Sequence, residues 1–199
     1  MRVLIACEFS GIVREAFRAR GHEAVSVDFL PSEQPGSHYQ CDVLDFIRIT
    51  PYAFDPLVVW DMMIAFPPCT HLAVSGARWF KNKQQEQREA IRFVERLWNA
   101  GIPRIAIENP VGVLSTRSIL GRPSQTFQPH QFWAGEYGKG EVKRTCLWLK
   151  NLPKLVPTTP DEPGRHPACW FMPPSPDRWK NRSRTYQGIA DAMAEQWQD

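Results

Sequence analysis

Ile64-Ala65-Phe66-Pro67-Pro68-Cys69-Thr70-His71-Leu72 is the stretch on which the reading of this chain turns. Together with Met62 and Met63 it opens as an apolar run with the length and composition of a strand buried on both faces. Two prolines then end it, because proline donates nothing to a sheet ladder and keeps the residue before it extended. Cys69 stands directly after that exit. In an open α/β sheet ligands bind outside the carboxyl ends of the strands, so this thiol lies where chemistry is normally done. A lone cysteine is more often structural, but the surrounding residues argue the other way.

The same pattern recurs on both sides. Arg2 to Cys7 reads as a buried strand and Glu8-Phe9-Ser10-Gly11 as a turn. Ile12, Val13, Ala16 and Phe17 then recur at helical spacing until Gly21. Glu23 to Val27 forms a second strand, ending at Asp28. This strand–turn–helix–strand unit has the logic of a nucleotide site, with a helix N-terminus near the ligand and a carboxylate for the ribose hydroxyls. Residues 29–40 read as loop. Cys41-Asp42-Val43 is a short strand candidate whose Asp42 lands near the same edge, and Asp45 to Tyr52 holds a short helix ended by Pro51.

Gln84 to Ala100 is the clearest helix, with Ile91, Val94, Leu97 and Trp98 on one face and Gly101 at its stop. Ile102 to Ile107 is the next buried strand and ends at Glu108-Asn109-Pro110. Twice, therefore, an apolar strand runs into a reactive residue and a proline, and both ends should open onto one edge of a parallel sheet. Residues 111–130 read as loop-like. Phe127 to Trp133 and Thr145 to Leu149 read as later strands, separated by the glycine-rich stretch from Gly135 to Gly140. From Asn151 to Asn181 proline is frequent and periodicity is lost. The excursion closes in Arg178-Trp179-Lys180-Asn181-Arg182-Ser183-Arg184, and a last helix runs from about Tyr186 or Gly188 to Trp197.

Composition sets outer bounds. The 199 residues suit one α/β domain with short additions, and 43% hydrophobic residues are enough for a real core. No apolar run approaches the ~20 residues of a membrane span. Met1 to Ala6 reads straight into a strand without a signal-peptide core. Five scattered cysteines without CxxC spacing fit a reducing cytoplasm. Cys146, His166 and Cys169 match no finger spacing and lack a fourth ligand, so no metal is expected. The net charge of +3 only mildly favours a polyanionic partner.

Taken together, the motifs resemble the DNA cytosine-5 methyltransferases, particularly the short versions carried by bacteriophages. Phe66-Pro67-Pro68-Cys69 is similar to that family's Pro-Cys nucleophile motif, and Glu108-Asn109-Pro110-Val111-Gly112 is similar to its Glu-Asn-Val motif. Tyr137-Gly138 to Leu147 and Thr185-Tyr186-Gln187-Gly188 resemble later family motifs in the same order. The chain departs from the pattern in its first motif, reduced to Glu8-Phe9-Ser10-Gly11, and in Lys143-Arg144-Thr145, which stands where Arg-x-Arg is usual. It also departs in the recognition segment, which is very short.

The resemblance implies a Rossmann-like, S-adenosylmethionine-dependent methyltransferase fold with a mostly parallel central sheet and helices on both faces. It divides the chain into a catalytic domain over 1–150, an irregular proline-rich recognition segment over 151–184 and a C-terminal helix over 185–199 packing back on the domain. It implies transfer of a methyl group to carbon 5 of cytosine in DNA, double- or single-stranded, with S-adenosyl-L-methionine as cofactor and no membrane partner, in a bacterial host cytoplasm. Cys69 becomes the nucleophile that adds to carbon 6, and Glu108 the group at ring nitrogen 3, with Lys143 and Arg144 as candidate cations beside the base. The cofactor site takes Cys7, Glu8, Phe9, Ser10, Gly11, Asp28, Phe29, Asp42, Val43, Phe66, Pro67 and Gly188. DNA contacts fall to His71, Arg178, Trp179, Lys180, Arg182 and Arg184. Two other readings stay open: a free cytosine nucleotide or single-stranded DNA as substrate of the same chemistry, and an inactive DNA-binding relative.

Overall fold

Val3 to Ala6, Met62 to Ala65 and Ile105 to Ile107 have no exposed surface. Strands that are apolar at every position must be covered on both faces, and this requirement sets the architecture. The structure, a computed structural model, describes residues 1–53, 59–133, 140–165 and 167–198. The elements in chain order are β1 (Arg2–Ala6), α1 (Ile12–Arg18), β2 (Glu23–Asp28), β3 (His38–Gln40), α2 (Val43–Ala53), β4 (Met62–Ala65), α3 (Gln84–Trp98) and β5 (Arg104–Pro110). They continue with α4 (Leu114–Arg117), β6 (Gln125–Phe127), β7 (Thr145–Lys150), α5 (Ala168–Phe171), α6 (Arg178–Ser183) and α7 (Gln187–Gln196).

The seven strands form one sheet in the order β3-β2-β1-β4-β5-β7-β6. β3, β2, β1, β4 and β5 pair in parallel, and only β7 runs against its neighbours β5 and β6. This is the Rossmann-like, doubly wound architecture expected from the sequence. Alternation sorts the core into two layers. Val3, Ile5, Met62, Ile64, Ala106 and Leu147 face α1 and α7, while Leu4, Ala6, Met63, Ala65, Ile105 and Ile107 face α2, α3 and α4. Trp197, 1% exposed, closes the first layer and its Nε1 donates to the Pro153 carbonyl at 3.0 Å.

The register fixes where the chemistry-bearing residues stand. Ala6 lies opposite Val27 on one side and Ala65 on the other, and Ala65 lies opposite Ile107. One step further along each strand, Asp28, Cys7, Phe66 and Glu108 form a row along the carboxyl edge. The strand order reverses between β1 and β4, so the middle of this row is the switch point at which ligands enter such sheets.

Several local expectations give way. Cys41-Asp42-Val43 is not a strand: Asp42 caps α2, its Oδ1 accepting the Leu44 amide at 2.7 Å, and the strand lies just upstream at His38–Gln40. The α2 helix continues past Pro51 to Ala53. Phe127 to Trp133 is not a strand either, since β6 ends at Phe127 and Pro129–Phe132 is a 3-10 turn held by Gln128 and Gln131. The 111–130 stretch holds α4 and all of β6. Residues 135–139 of the glycine-rich stretch, with Tyr137-Gly138, and His166 lie outside the described residues.

Candidate active site

The loop after β4 carries Cys69 and is laced to the end of β5. Asn109, 1% exposed, donates from Nδ2 to the Pro67 carbonyl at 2.8 Å. Val113 N–H bonds the Leu72 carbonyl at 2.9 Å and Val74 N–H bonds the Val111 carbonyl at 3.0 Å. Between them Gly112 comes so close that a Cβ there would stand 2.1 Å from the Leu72 oxygen. On the far side of the loop Gln87 donates to the His71 carbonyl at 2.9 Å. The loop is therefore fixed through its backbone, and it carries Cys69, exposed as a residue, at the sheet edge.

Beside it is a narrow cleft of about 20 Å³, room for roughly one water molecule, lined by Phe66, Glu108, Phe127, Lys143, Thr145 and, from the C-terminal segment, Ser183 to Tyr186 and Ile189. Lys143 Nζ donates to the Arg182 carbonyl at 2.8 Å and lies 5.8 Å from the centre of the Tyr186 ring. Burial pushes the Glu108 carboxyl up, and the Lys143 charge only partly opposes this. Loss of water and then the Glu108 charge raise the Cys69 thiol, while Lys143, a backbone N–H and Arg182 pull it down. Cys69, Glu108, Lys143 and Arg182 thus act on one another electrostatically. Arg144 is exposed and absent from the cleft lining. A larger and more open depression lined by Met1, Arg2, Gly21, Glu23, Val59 and Asp61 lies at the opposite, amino edge, away from the row of Asp28, Cys7, Phe66 and Glu108.

The turn after β1 is built on strained and buried groups. Cys7 has φ 58°, and burial followed by the Asp28 and Asp42 charges pushes its thiol far up. Glu8, 4% exposed, curls back over the start of α1: Oε1 accepts the Ser10 hydroxyl and the Ile12 amide, and Oε2 is buried with no partner. Burial raises this carboxyl as well. Gly11, φ 77°, lies under the Gln34 side chain, 2.6 Å from where a Cβ would stand. Asp28 accepts the Leu30 amide at 2.9 Å, burial raises its carboxyl, and Phe29 beside it is 69% exposed. Val43 is buried as the first residue of α2.

Arg14 organises the loop over this turn. Fully buried, it donates to Ser26 Oγ, Ser32 Oγ and the carbonyls of Gln34 and Pro35 at 2.8–3.2 Å. The same loop presents Glu33. Arg184 Nε and Nη2 donate to its two oxygens, both at 2.7 Å, and Lys180 Nζ lies 3.1 Å away. These partners, Arg184 first, hold the Glu33 carboxyl down to about 2. Lys180 also sits 5.2 Å from the centre of the Phe9 ring. Of the residues expected at phosphates, Lys180 and Arg184 pair with Glu33, and Arg178 donates to the Trp170 and Met172 carbonyls. Arg182 keeps a buried Nε without a partner, and Trp179 is 60% exposed.

At Gly188 a Cβ would lie 1.4 Å from the Phe132 carbonyl oxygen, so the glycine lets α7 press against the 3-10 turn. The structure brings Glu108 and Lys143 to one cleft, with Cys69 outside its lining but within their electrostatic reach, and the turn residues to the neighbouring stretch of the same edge. Sequence reasoning did not find Arg14, Glu33 or the bond from Asn109 to Pro67. Only the asparagine carried a signal, sitting inside the Glu-Asn motif.

Among the described residues no group of three or more His, Cys, Asp or Glu could hold a metal ion, and no helix is long and apolar enough to cross a membrane. No family model matches the chain, and no curated protein matches it. Among solved structures the chain is similar to a prophage-encoded Escherichia coli protein provisionally assigned as a DNA modification methyltransferase. The identity is 14% and the TM-score 0.47, over 75% of this chain and 46% of that one. The chain thus spans less than half the length of that protein.

Proposed function

We propose that this chain is an S-adenosylmethionine-dependent methyltransferase acting on carbon 5 of cytosine in DNA, with Cys69 as nucleophile. The observation that carries the reading is the carboxyl edge itself, where Cys69 stands on a loop tied by Asn109 to the end of β5, beside a cleft that holds Glu108 and the paired cation Lys143. Carbon 5 of cytosine is a poor nucleophile until a thiolate adds to carbon 6. The added electron density then reaches carbon 5 and ring nitrogen 3. Burial favours the protonated form of the Glu108 carboxyl, the form that donates a hydrogen bond to that nitrogen and lacks the charge opposing Cys69 ionisation. Lys143 and Arg182 favour the thiolate. After methylation, loss of the carbon 5 proton and expulsion of the Cys69 thiolate restore the ring.

When bound, S-adenosylmethionine supplies an electrophilic methyl group on a sulfonium. The orphaned, buried Oε2 of Glu8 suits its ammonium, Asp28 its ribose hydroxyls and the exposed Phe29 its purine face. The reading gives residues 151–184 the recognition role and Lys143, rather than Arg144, the place beside the base. Incubation with labelled S-adenosylmethionine and, separately, duplex DNA, single-stranded DNA and dCMP tests it. Label should enter a cytosine-containing substrate with the native chain and not with Cys69→Ser, and label in none of the three substrates would overturn it.

A further inference from the structure

Trp170, Phe171 and Trp179 are 57, 74 and 60% exposed, although large aromatic side chains are normally buried. Their backbones are firmly held. Cys169 N–H donates to the buried Glu141 carboxylate at 3.1 Å, which fixes α5 to the body of the protein. The Arg178 guanidinium donates to the Trp170 and Met172 carbonyls at 3.0 and 2.7 Å, which locks the first turn of α6 beside the end of α5. Lys180 and Arg184 bind Glu33, and the Arg182 carbonyl accepts Lys143. Rings exposed on so well anchored a backbone are preorganised for a partner.

Charge says which partner. Residues 178–184 carry four cations against Asp177 and the bound Glu33, so positive charge interleaves with the rings. Aromatic faces alternating with cations match a strand of unpaired bases, whose π-faces are free to stack, and not a duplex, whose bases are already stacked. Ser183 to Tyr186, starting at the last residue of α6, line the cleft that holds Glu108 and Lys143. We propose that Trp170, Phe171 and Trp179 form a stacking platform for single-stranded DNA and lead a base into this cleft. The inference rests on the DNA methyltransferase reading above and narrows its substrate.

Fluorescence anisotropy of a labelled mixed-sequence single strand, and of the same strand annealed to its complement, tests it on the full chain. The single strand should bind at least tenfold more tightly than the duplex. Each of Trp170→Ala, Phe171→Ala and Trp179→Ala should weaken it by about tenfold or more, which is ~1.4 kcal/mol per lost ring. Trp179→Phe, which keeps a ring, should recover most of the loss, so a folding defect in the alanine variant would not mask the result. Equal or tighter duplex binding, or single-strand affinity unchanged in the alanine variants, would overturn the platform. So would self-association that these variants abolish without any single-strand binding, which would assign the rings to a second copy of the chain. Calorimetry with S-adenosylmethionine on the same preparations separates the two readings: cofactor binding without single-strand preference overturns the platform alone.

Discussion

Asn109→Asp is the sharpest probe of how the site is held. In the native chain the amide Nδ2 donates to the Pro67 carbonyl at 2.8 Å, with Asn109 1% exposed. Its Oδ1 is already buried without a partner. Alanine at this position strips the Pro67 carbonyl of its donor, at about 1–3 kcal/mol, but it also removes the orphaned oxygen, so the two terms largely offset and a net loss near 1 kcal/mol is expected. Aspartate keeps the shape and reverses the chemistry. When ionised it cannot donate, it faces a carbonyl oxygen, and it lies beside Glu108, so it behaves as an uncompensated buried charge costing about 3–5 kcal/mol. For a chain of this size that corresponds to a fall in Tm of about 6–20 °C.

The loss has a definite pH dependence. Protonated aspartic acid can donate to Pro67, so the folded state raises its pKa, takes up a proton, and recovers stability as pH falls. Urea denaturation followed by tryptophan fluorescence at pH 8 and pH 5 measures this. The expected order at pH 8 is native, then alanine, then aspartate, with the aspartate gap closing at pH 5. An Asn109→Asp chain no less stable than the alanine variant at pH 8, or equally penalised at both pH values, would refute the argument that Asn109 ties down the Cys69 loop by donating to Pro67.

Three other outcomes follow from the same geometry. Gly188→Ala forces the α7 backbone away from Phe132, where a Cβ would lie 1.4 Å from the carbonyl oxygen, and should cost about 3 kcal/mol or more by urea denaturation; a cost under ~1 kcal/mol would contradict the close approach. Burial raises the Glu108 carboxyl above 4.5 in the folded chain, so folding takes up a proton just above that value and native stability falls as pH rises through the window. Glu108→Gln should therefore match the native chain below pH 4.5 and exceed it at pH 8, and a gap that does not change with pH would count against the burial. Glu33 is the opposite case: held down to about 2, it contributes stability that is complete above 4.5 and lost as pH falls towards 2. Glu33→Gln should cost on the order of 1 kcal/mol at pH 7 and nothing near pH 2 in the same denaturation series.

The centre of the fold was legible because parallel strands covered on both faces leave no position for a polar residue. Val3 to Ala6, Met62 to Ala65 and Ile105 to Ile107 could hardly be read otherwise. The candidate site was legible for a related reason, since prolines mark where β4 leaves the sheet and β5 ends, and the register then aligns Phe66 with Glu108. The edge was harder. His38-Tyr39-Gln40 pairs with β2 alone and is partly exposed, so it lacks the apolar signature of a strand. Phe127 and Phe132 are both buried, but Pro129 turns the chain between them, and their spacing imitated a strand.

Long-range pairing was not legible at all. Arg184 and Lys180 stand in a local basic cluster that gives no hint of their pairing with Glu33, about 150 residues away. Arg14 read as an ordinary helix charge, although it is the buried donor that shapes the loop carrying Glu33. No local periodicity encodes either pairing, because each depends on where the sheet brings the chain back.

The central claim is that Cys69 forms a covalent bond to carbon 6 of cytosine, and trapping that bond tests it most directly. A single-stranded oligonucleotide carrying 5-fluorocytosine, incubated with the protein and S-adenosylmethionine, should accept the methyl group and then stall, because fluorine at carbon 5 cannot leave as a proton does. The protein–DNA adduct should survive denaturation and appear by mass spectrometry on the peptide containing Cys69, with Cys69→Ser giving neither adduct nor methylated product. Methylation of ordinary cytosine by Cys69→Ser at a rate comparable to the native chain, or an adduct that maps to another cysteine, would contradict it.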